Sequence, residues 1–296
     1  MKKIILHLGF PRTGSTYLQS RVFPKIKNIN FLGKPFNKNY SKIFYEFEKK
    51  IFSYDDLYFE KRKNFLGKDI DKLFTNKINL ISHEGFLRNT RFYEKKDKFY
   101  KGNNYSNNLK RIYEVFKTIV PKKNIYFIIY VRKQTDLLPS YYSNFWKSEY
   151  QISKSVNYAK FINNCFDPNK FNFGKIINYN VLYDYLVSFI PRSKINFIDF
   201  ESFFSKEKNK IKLFANLFNN NDQYIKDLIN YNLINSNKKN NNYYYKDLHN
   251  LLPKVFKKKF TQTSELENKI FTFYKNENLK LDKKIVQLNL KSNGYY

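Results

Sequence analysis

Five short apolar runs, set far apart along a 296-residue chain, restrict the available folds more than any other feature. They are Lys3 to Leu8, Ile29 to Leu32, Ile78 to Ser82, Asn124 to Val131 and Ile195 to Phe200. Strands of a parallel sheet are buried on both faces, so they read as continuous apolar stretches, and helical patterns between them indicate βαβ units. The segment Ile-Tyr-Phe-Ile-Ile-Tyr-Val, Ile125 to Val131, is the best candidate for a central strand. Helical patterns follow Thr13 and run near Asn108 to Ile119, Thr135 to Lys147, Ile176 to Phe189, Lys206 to Leu217 and Ser264 to Asn278. Asn-rich stretches at Asn219 to Asn221 and Asn240 to Asn242 read as loops. No fixed-period repeat and no clear linker is visible, so a single domain over 1–296, with a mainly helical C-terminal third, is expected.

A hydrophobic fraction of 42% and an aromatic fraction of 20% supply ample core and exclude global disorder. No apolar run approaches the roughly 20 residues that span a bilayer, which argues against an integral membrane protein. The opening Met-Lys-Lys and its apolar run imitate a signal peptide, but the run ends at Phe10 and no small-residue cleavage site follows. It reads as a first strand. Cys165 is the sole cysteine and the three histidines (His7, His83, His249) stand far apart, so no disulfide framework and no metal centre is expected. A reducing compartment, the cytoplasm, fits.

Lys and Arg number 55 against 25 Asp and Glu, a net charge of +30. Two readings stand side by side. Abundant Asn, Lys, Ile, Tyr and Phe match the bias of an AT-rich genome, which makes the charge a solvated lysine surface. The other reading is a field that draws in anionic ligands.

The strongest local signal is Leu6-His-Leu-Gly-Phe-Pro-Arg-Thr-Gly-Ser-Thr16-Tyr-Leu-Gln19. A buried strand ends at Gly9, a loop runs to Gly14, and a helix opens with Ser15 and Thr16. Successive loop amides at a helix start form an anion cradle. The spacing matches part of the nucleotide-triphosphate loop Gly-x-x-x-x-Gly-Lys-Ser/Thr, yet Ser15 stands where that loop requires Lys, and a cation appears as Arg12 instead. This argues against an ordinary NTPase.

Here the sequence resembles the sulfotransferases that use PAPS (3′-phosphoadenosine 5′-phosphosulfate). Their first loop reads Pro-Lys/Arg-x-Gly-Ser/Thr-Thr, matched by Pro11-Arg-Thr-Gly-Ser-Thr16. A second motif, Val131-Arg-Lys-Gln-Thr-Asp-Leu-Leu-Pro-Ser140, follows the most apolar strand and matches the family's 3′-phosphate motif, an Arg at a strand end and a Ser eight residues later. A guanidinium offers bidentate contacts to phosphate and the hydroxyl adds a donor. Weaker echoes, such as Ile195-Asn-Phe-Ile-Asp-Phe-Glu201 and Leu233-Ile-Asn-Ser236, fall in the family's order.

The resemblance implies an α/β, P-loop-like three-layer fold with a central, mainly parallel sheet flanked by helices. It implies PAPS as co-substrate and adenosine 3′,5′-bisphosphate as product, with no metal required. Cofactor binding would fall to Arg12, Thr13, Gly14, Ser15, Thr16, Arg132 and Ser140. Arg12, in place of the family's Lys, would meet the charge that develops on the leaving group. The acceptor hydroxyl, of a sugar or glycan, needs a base. In Ile78-Asn-Leu-Ile-Ser-His-Glu84 the resemblance to carbohydrate-type members favours Glu84, with His83 the alternative. His7 and His249 read as structural.

Two other classes remain in view. A P-loop kinase or NTPase would use Asp199, at the end of Ile195-Asn-Phe-Ile-Asp199, to hold Mg²⁺. A nucleic-acid-binding protein would account for the charge, but the basic residues are scattered and no reading motif is present. No nucleic acid partner is expected.

Overall fold

The structure is a computed structural model and describes residues 1–33, 46–47, 49–51, 53–83, 86–87, 105–153, 157–167, 173–229, 238–239, 242–244 and 259–296. Its centre is a five-stranded parallel sheet built from β1 (Lys3–Gly9), β2 (Ile29–Leu32), β3 (Ile78–Ser82), β4 (Ile125–Val131) and β5 (Ile195–Asp199). The strand order is β2-β3-β1-β4-β5. β1 lies between β3 and β4, with Leu6 opposite Ile81 on one side and Phe127 on the other. Ile4, Ile5, Leu6, Leu8 and Ile125, Phe127 to Val131 are almost wholly shielded from solvent, which is why these runs carry no polar alternation. The fold is α/β, with helices flanking the sheet.

β4 and β5 are entered by the same device. Pro121 precedes the tight turn Lys122–Asn124 and Pro191 precedes Arg192–Lys194, each turn leading straight into an apolar strand. A fixed proline φ sets the first residue of such a turn.

By contact density the chain divides into two compact units. One comprises Met1–Phe10, Gly14–Tyr130 and Tyr185–Asn230; the other comprises Pro11–Thr13, Val131–Asp184 and Tyr231–Tyr296. The first unit holds the sheet up to Tyr130. Around it lie α1 (Ser15–Tyr17), α2 (Asp56–Asp71) and α3 (Tyr105–Lys117), the last two packed together. The helix expected after Thr13 is a composite: α1 passes into a wide turn over Leu18–Val22 and a tight one over Phe23–Lys25, where Pro24 stands.

In the second unit α4 (Gln134–Ser153) packs against α5 (Tyr158–Phe166), which packs against α6 (Phe173–Ile176). Pro139 sits inside α4 and cannot donate to the carbonyl of Thr135, four residues back. Gln262 Nε2 donates to that carbonyl instead, at 3.0 Å. Helix α7 (Tyr179–Val187) follows, then in the first unit α8 (Phe200–Phe204), α9 (Lys208–Phe218) and α10 (Asp222–Leu228). Asn219 closes α9 in the left-handed conformation and Asn221 caps α10 through its side chain, so that Asn run is a loop with two defined tasks.

Among the described residues of the C-terminal third, strands accompany the helices. This part contains a small antiparallel sheet of β6 (Lys238–Lys239), β7 (Asn242–Tyr244) and β8 (Lys259–Thr261) beside the long α11 (Ser264–Lys284). Asn242, expected in a loop, opens β7. Tyr243 stacks on Phe260 across the pair, an aromatic contact that holds so short a ladder.

Candidate active site

The loop after β1 begins where glycine is obligatory. A Cβ at Gly9 would lie 1.9 Å from Ser15 Oγ, so the buried Ser15 hydroxyl fills the niche that a side chain there would take. Gly14 adopts φ +80°, and a Cβ would come within 2.7 Å of the Phe204 ring. Both the backbone turn and the close approach therefore demand glycine. Thr16 is exposed at the start of α1.

Within the second unit, Thr13 is buried and Arg12 is held at φ +74°, a left-handed conformation that costs a residue with a side chain. Something must hold Arg12 there, and two contacts do. Its Nε donates to Ser140 Oγ at 2.9 Å, and its carbonyl accepts from Arg132 Nη1 at 2.8 Å. Ser140 lies on α4 directly after Pro139, and its own carbonyl accepts from Ser143 Oγ and Asn144 Nδ2. Arg132 stands just beyond the last residue of β4 and is only 8% exposed. Three residues named by two separate motifs thus form one hydrogen-bonded group, though 120 and 128 positions separate the partners. Two guanidinium groups and a hydroxyl are donors suited to phosphate or sulfate oxygens.

No motif marks the residue that holds Arg132. Fully buried Tyr179 donates through its hydroxyl to the Arg132 carbonyl at 2.8 Å and accepts from the Arg132 N–H at 3.3 Å. One tyrosine among 26 has no pattern that would single it out.

Of the two candidate bases, His83 is half-buried just past β3. Its N–H donates to the carbonyl of His7 at 3.2 Å, and its ring lies 4.8 Å from that of Phe86. Glu84 lies outside the described residues, as do His249 and the segment Leu233 to Ser236.

His7, inside the first unit, is wholly buried. Its Nδ1 stands 2.6 Å from Ser82 Oγ, which also accepts from Gln19 Nε2 at 2.9 Å. Burial pushes the imidazole pKa down to about 3, so His7 is neutral across the physiological range.

Asp199, the carboxylate a kinase would need for Mg²⁺, is fully buried and engaged twice. One oxygen caps α8 by accepting from the Ser202 N–H at 3.1 Å, and the other lies 2.7 Å from Lys210 Nζ, itself 2% exposed.

A sulfotransferase from Alicyclobacillus acidocaldarius is similar in structure over 96% of each chain, with a TM-score of 0.52 and 10% sequence identity. The chain has the fold of that sulfotransferase. No family model and no curated protein matches its sequence. Among the described residues no helix is long and apolar enough to cross a membrane.

Proposed function

We propose that this chain is a PAPS-dependent sulfotransferase that delivers a sulfuryl group to an acceptor hydroxyl of a sugar or glycan. One observation carries the reading: Arg12, Arg132 and Ser140, the residues that two distant motifs name for an anionic nucleotide, are joined by direct hydrogen bonds. The fold shared with a sulfotransferase supports it.

When bound, PAPS supplies the sulfuryl group and leaves as adenosine 3′,5′-bisphosphate. Arg132 and Ser140 bind the 3′-phosphate, the guanidinium through paired N–H donors and the serine through its hydroxyl. Thr13, Gly14, Ser15 and Thr16 offer backbone N–H groups to the 5′ end, since the Ser15 hydroxyl is already taken up by the niche at Gly9. Arg12 offers fixed positive charge where the leaving oxygen gains negative charge; a donor preorganised in this way contributes about 2.7–4 kcal/mol in comparable sites. Glu84 accepts the proton of the acceptor hydroxyl, with His83 as the alternative. No metal is assigned a part. The Mg²⁺-dependent kinase reading loses its main support, because both oxygens of Asp199 are engaged inside the fold.

Transfer of a labelled sulfuryl group from PAPS to a panel of sugars and glycans, with EDTA present, tests this. The wild-type chain labels an acceptor, and Glu84→Gln lowers turnover by roughly 10²–10⁴ while still binding PAPS. Unchanged turnover in Glu84→Gln removes that residue from the role. Magnesium-dependent ATP turnover with no transfer from PAPS overturns the whole reading.

A further inference from the structure

We propose that Tyr179 is a positioning residue for Arg132, and that its hydroxyl sets the protein's preference for a nucleotide bearing a 3′-phosphate. The proposal rests on the cofactor reading above. It starts from an accounting problem at the end of a strand. Arg132 lies beyond β4, where ladder hydrogen bonds run out, yet it is buried and its peptide N–H and C=O need partners. A single hydroxyl meets both: Tyr179 Oη donates to the carbonyl at 2.8 Å and receives the N–H at 3.3 Å.

This arrangement uses one atom to fix the two peptide planes on either side of one α-carbon, and hence the direction in which the side chain leaves the backbone. The same stretch of chain grips a second point two residues on. Gln134 Nε2 donates to the Ile177 carbonyl at 3.3 Å and to Asn278 Oδ1 at 3.0 Å, while Asn278 Nδ2 returns a bond to Gln134 Oε1 at 3.0 Å. Residues 177 to 179 therefore clasp the turn from Arg132 to Gln134 at both ends. The clasp is buried throughout, as Tyr179, Gln134 and Asn278 each have at most 2% exposure. From this anchored backbone the guanidinium reaches the Arg12 carbonyl. A bidentate guanidinium loses strength quickly when its plane tilts, so the gain from fixing the backbone is specific to the ligand oxygens that Arg132 meets.

The test measures dissociation constants of adenosine 3′,5′-bisphosphate and adenosine 5′-monophosphate for the wild-type protein, Tyr179→Phe and Tyr274→Phe. Tyr274 is the control: it is equally buried in the same unit and its hydroxyl donates to the Gly174 carbonyl at 2.8 Å, remote in sequence from the Arg132 turn. Tyr179→Phe weakens the bisphosphate about tenfold and the monophosphate less than twofold, whereas Tyr274→Phe leaves the ratio of the two at its wild-type value. Equal losses for both ligands, or an unchanged ratio in Tyr179→Phe, overturn the role of Tyr179 and leave the cofactor reading standing. A wild-type protein that binds both ligands alike overturns the cofactor reading itself. Should Tyr179→Phe fail to fold, hydrogen exchange on the wild-type protein decides the point: the Arg132 amide is protected before any ligand is added, and exchange at the rate of an open amide refutes the clasp.

Discussion

Two strand ends of the central sheet carry opposite charges, and they are treated in opposite ways. At the end of β5 the carboxylate of Asp199 is neutralised where it stands, one oxygen on a helix N–H and the other on buried Lys210. At the end of β4 the guanidinium of Arg132 joins a second cationic residue, Arg12, with the Ser140 hydroxyl in the same group. Arg12 takes a left-handed backbone to be there, a cost its hydrogen bonds with Ser140 and Arg132 help to offset. A group whose charge is met inside the molecule is a structural device. Under the proposed function, the N–H donors that Arg12 and Arg132 bring together are what an anionic nucleotide meets.

The difference is open to direct attack, and the largest effect belongs to the neutralised end. Lys210→Met leaves Asp199 buried and uncompensated, and breaking a buried ion pair in this way costs about 3–5 kcal/mol. Urea unfolding measures the loss. Combining Lys210→Met with Asp199→Asn recovers part of it, because the buried charge goes with its partner. A loss below about 1 kcal/mol in the single variant means Asp199 has another way to meet its charge, and the contrast between the two strand ends is then unfounded. Cofactor affinity in the folded fraction stays at the wild-type value.

Under the proposed function, the β4 end responds in the reverse sense. Arg132→Ala weakens adenosine 3′,5′-bisphosphate by roughly 10- to 100-fold, the range of one charge-assisted hydrogen bond. Adenosine 5′-monophosphate loses far less. Equal losses for the two would show that Arg132 acts on the fold or the whole site rather than on the 3′-phosphate.

How much of this could be read from the sequence follows from the same distinction. Strands β1 and β4 are visible because burial leaves them almost wholly apolar, and β2, though half-buried over Ile29 to Phe31, still reads as a run; the observed bounds of β2 and β3 coincide with the apolar runs. The helix Asp56–Asp71 left no comparable trace. Its buried Phe59, Leu66 and Ile70 are interleaved with exposed Leu57, Tyr58 and Phe65, which blurs the 3.6-residue period. The strands β6 to β8 are two or three residues long in a segment of Asn, Lys and Tyr, too short for alternation to register. In the candidate site, Arg12, Arg132 and Ser140 could be named because the proposed phosphate chemistry asks for particular donors at particular places along a strand, loop or helix, and the structure joins the three by hydrogen bonds. Their supports could not be named in this way. Tyr179 under Arg132 and Gln262 under Thr135 act through three-dimensional proximity alone, at separations of 47 and 127 residues.

The smallest effect sharpens the comparison from a third strand end, that of β1, where His7 is also held inside the fold. Its imidazole faces the rings of Phe23 and Tyr130 and the hydroxyl of Ser82, with Gln19 behind that hydroxyl. Burial lowers its folded-state pKa to about 3, while in the unfolded chain a histidine titrates near 6.5. Between those values the unfolded state binds a proton that the folded state refuses, so stability rises with pH across this window. The contribution is complete above about pH 6.5 and drains away as the pH falls toward 3. Between pH 7 and pH 5 the expected loss is about 2 kcal/mol from this one group. His7→Gln keeps a hydrogen-bonding group for Ser82 but removes the titration, so its unfolding free energy should fall by that much less over the same interval. The other histidines cancel in the difference between the two proteins. If the two proteins lose stability in parallel from pH 7 to pH 5, His7 does not stay neutral inside the fold, and β1 would then end in a group able to carry charge beside the anion loop, nearer in kind to Arg132 than to Asp199.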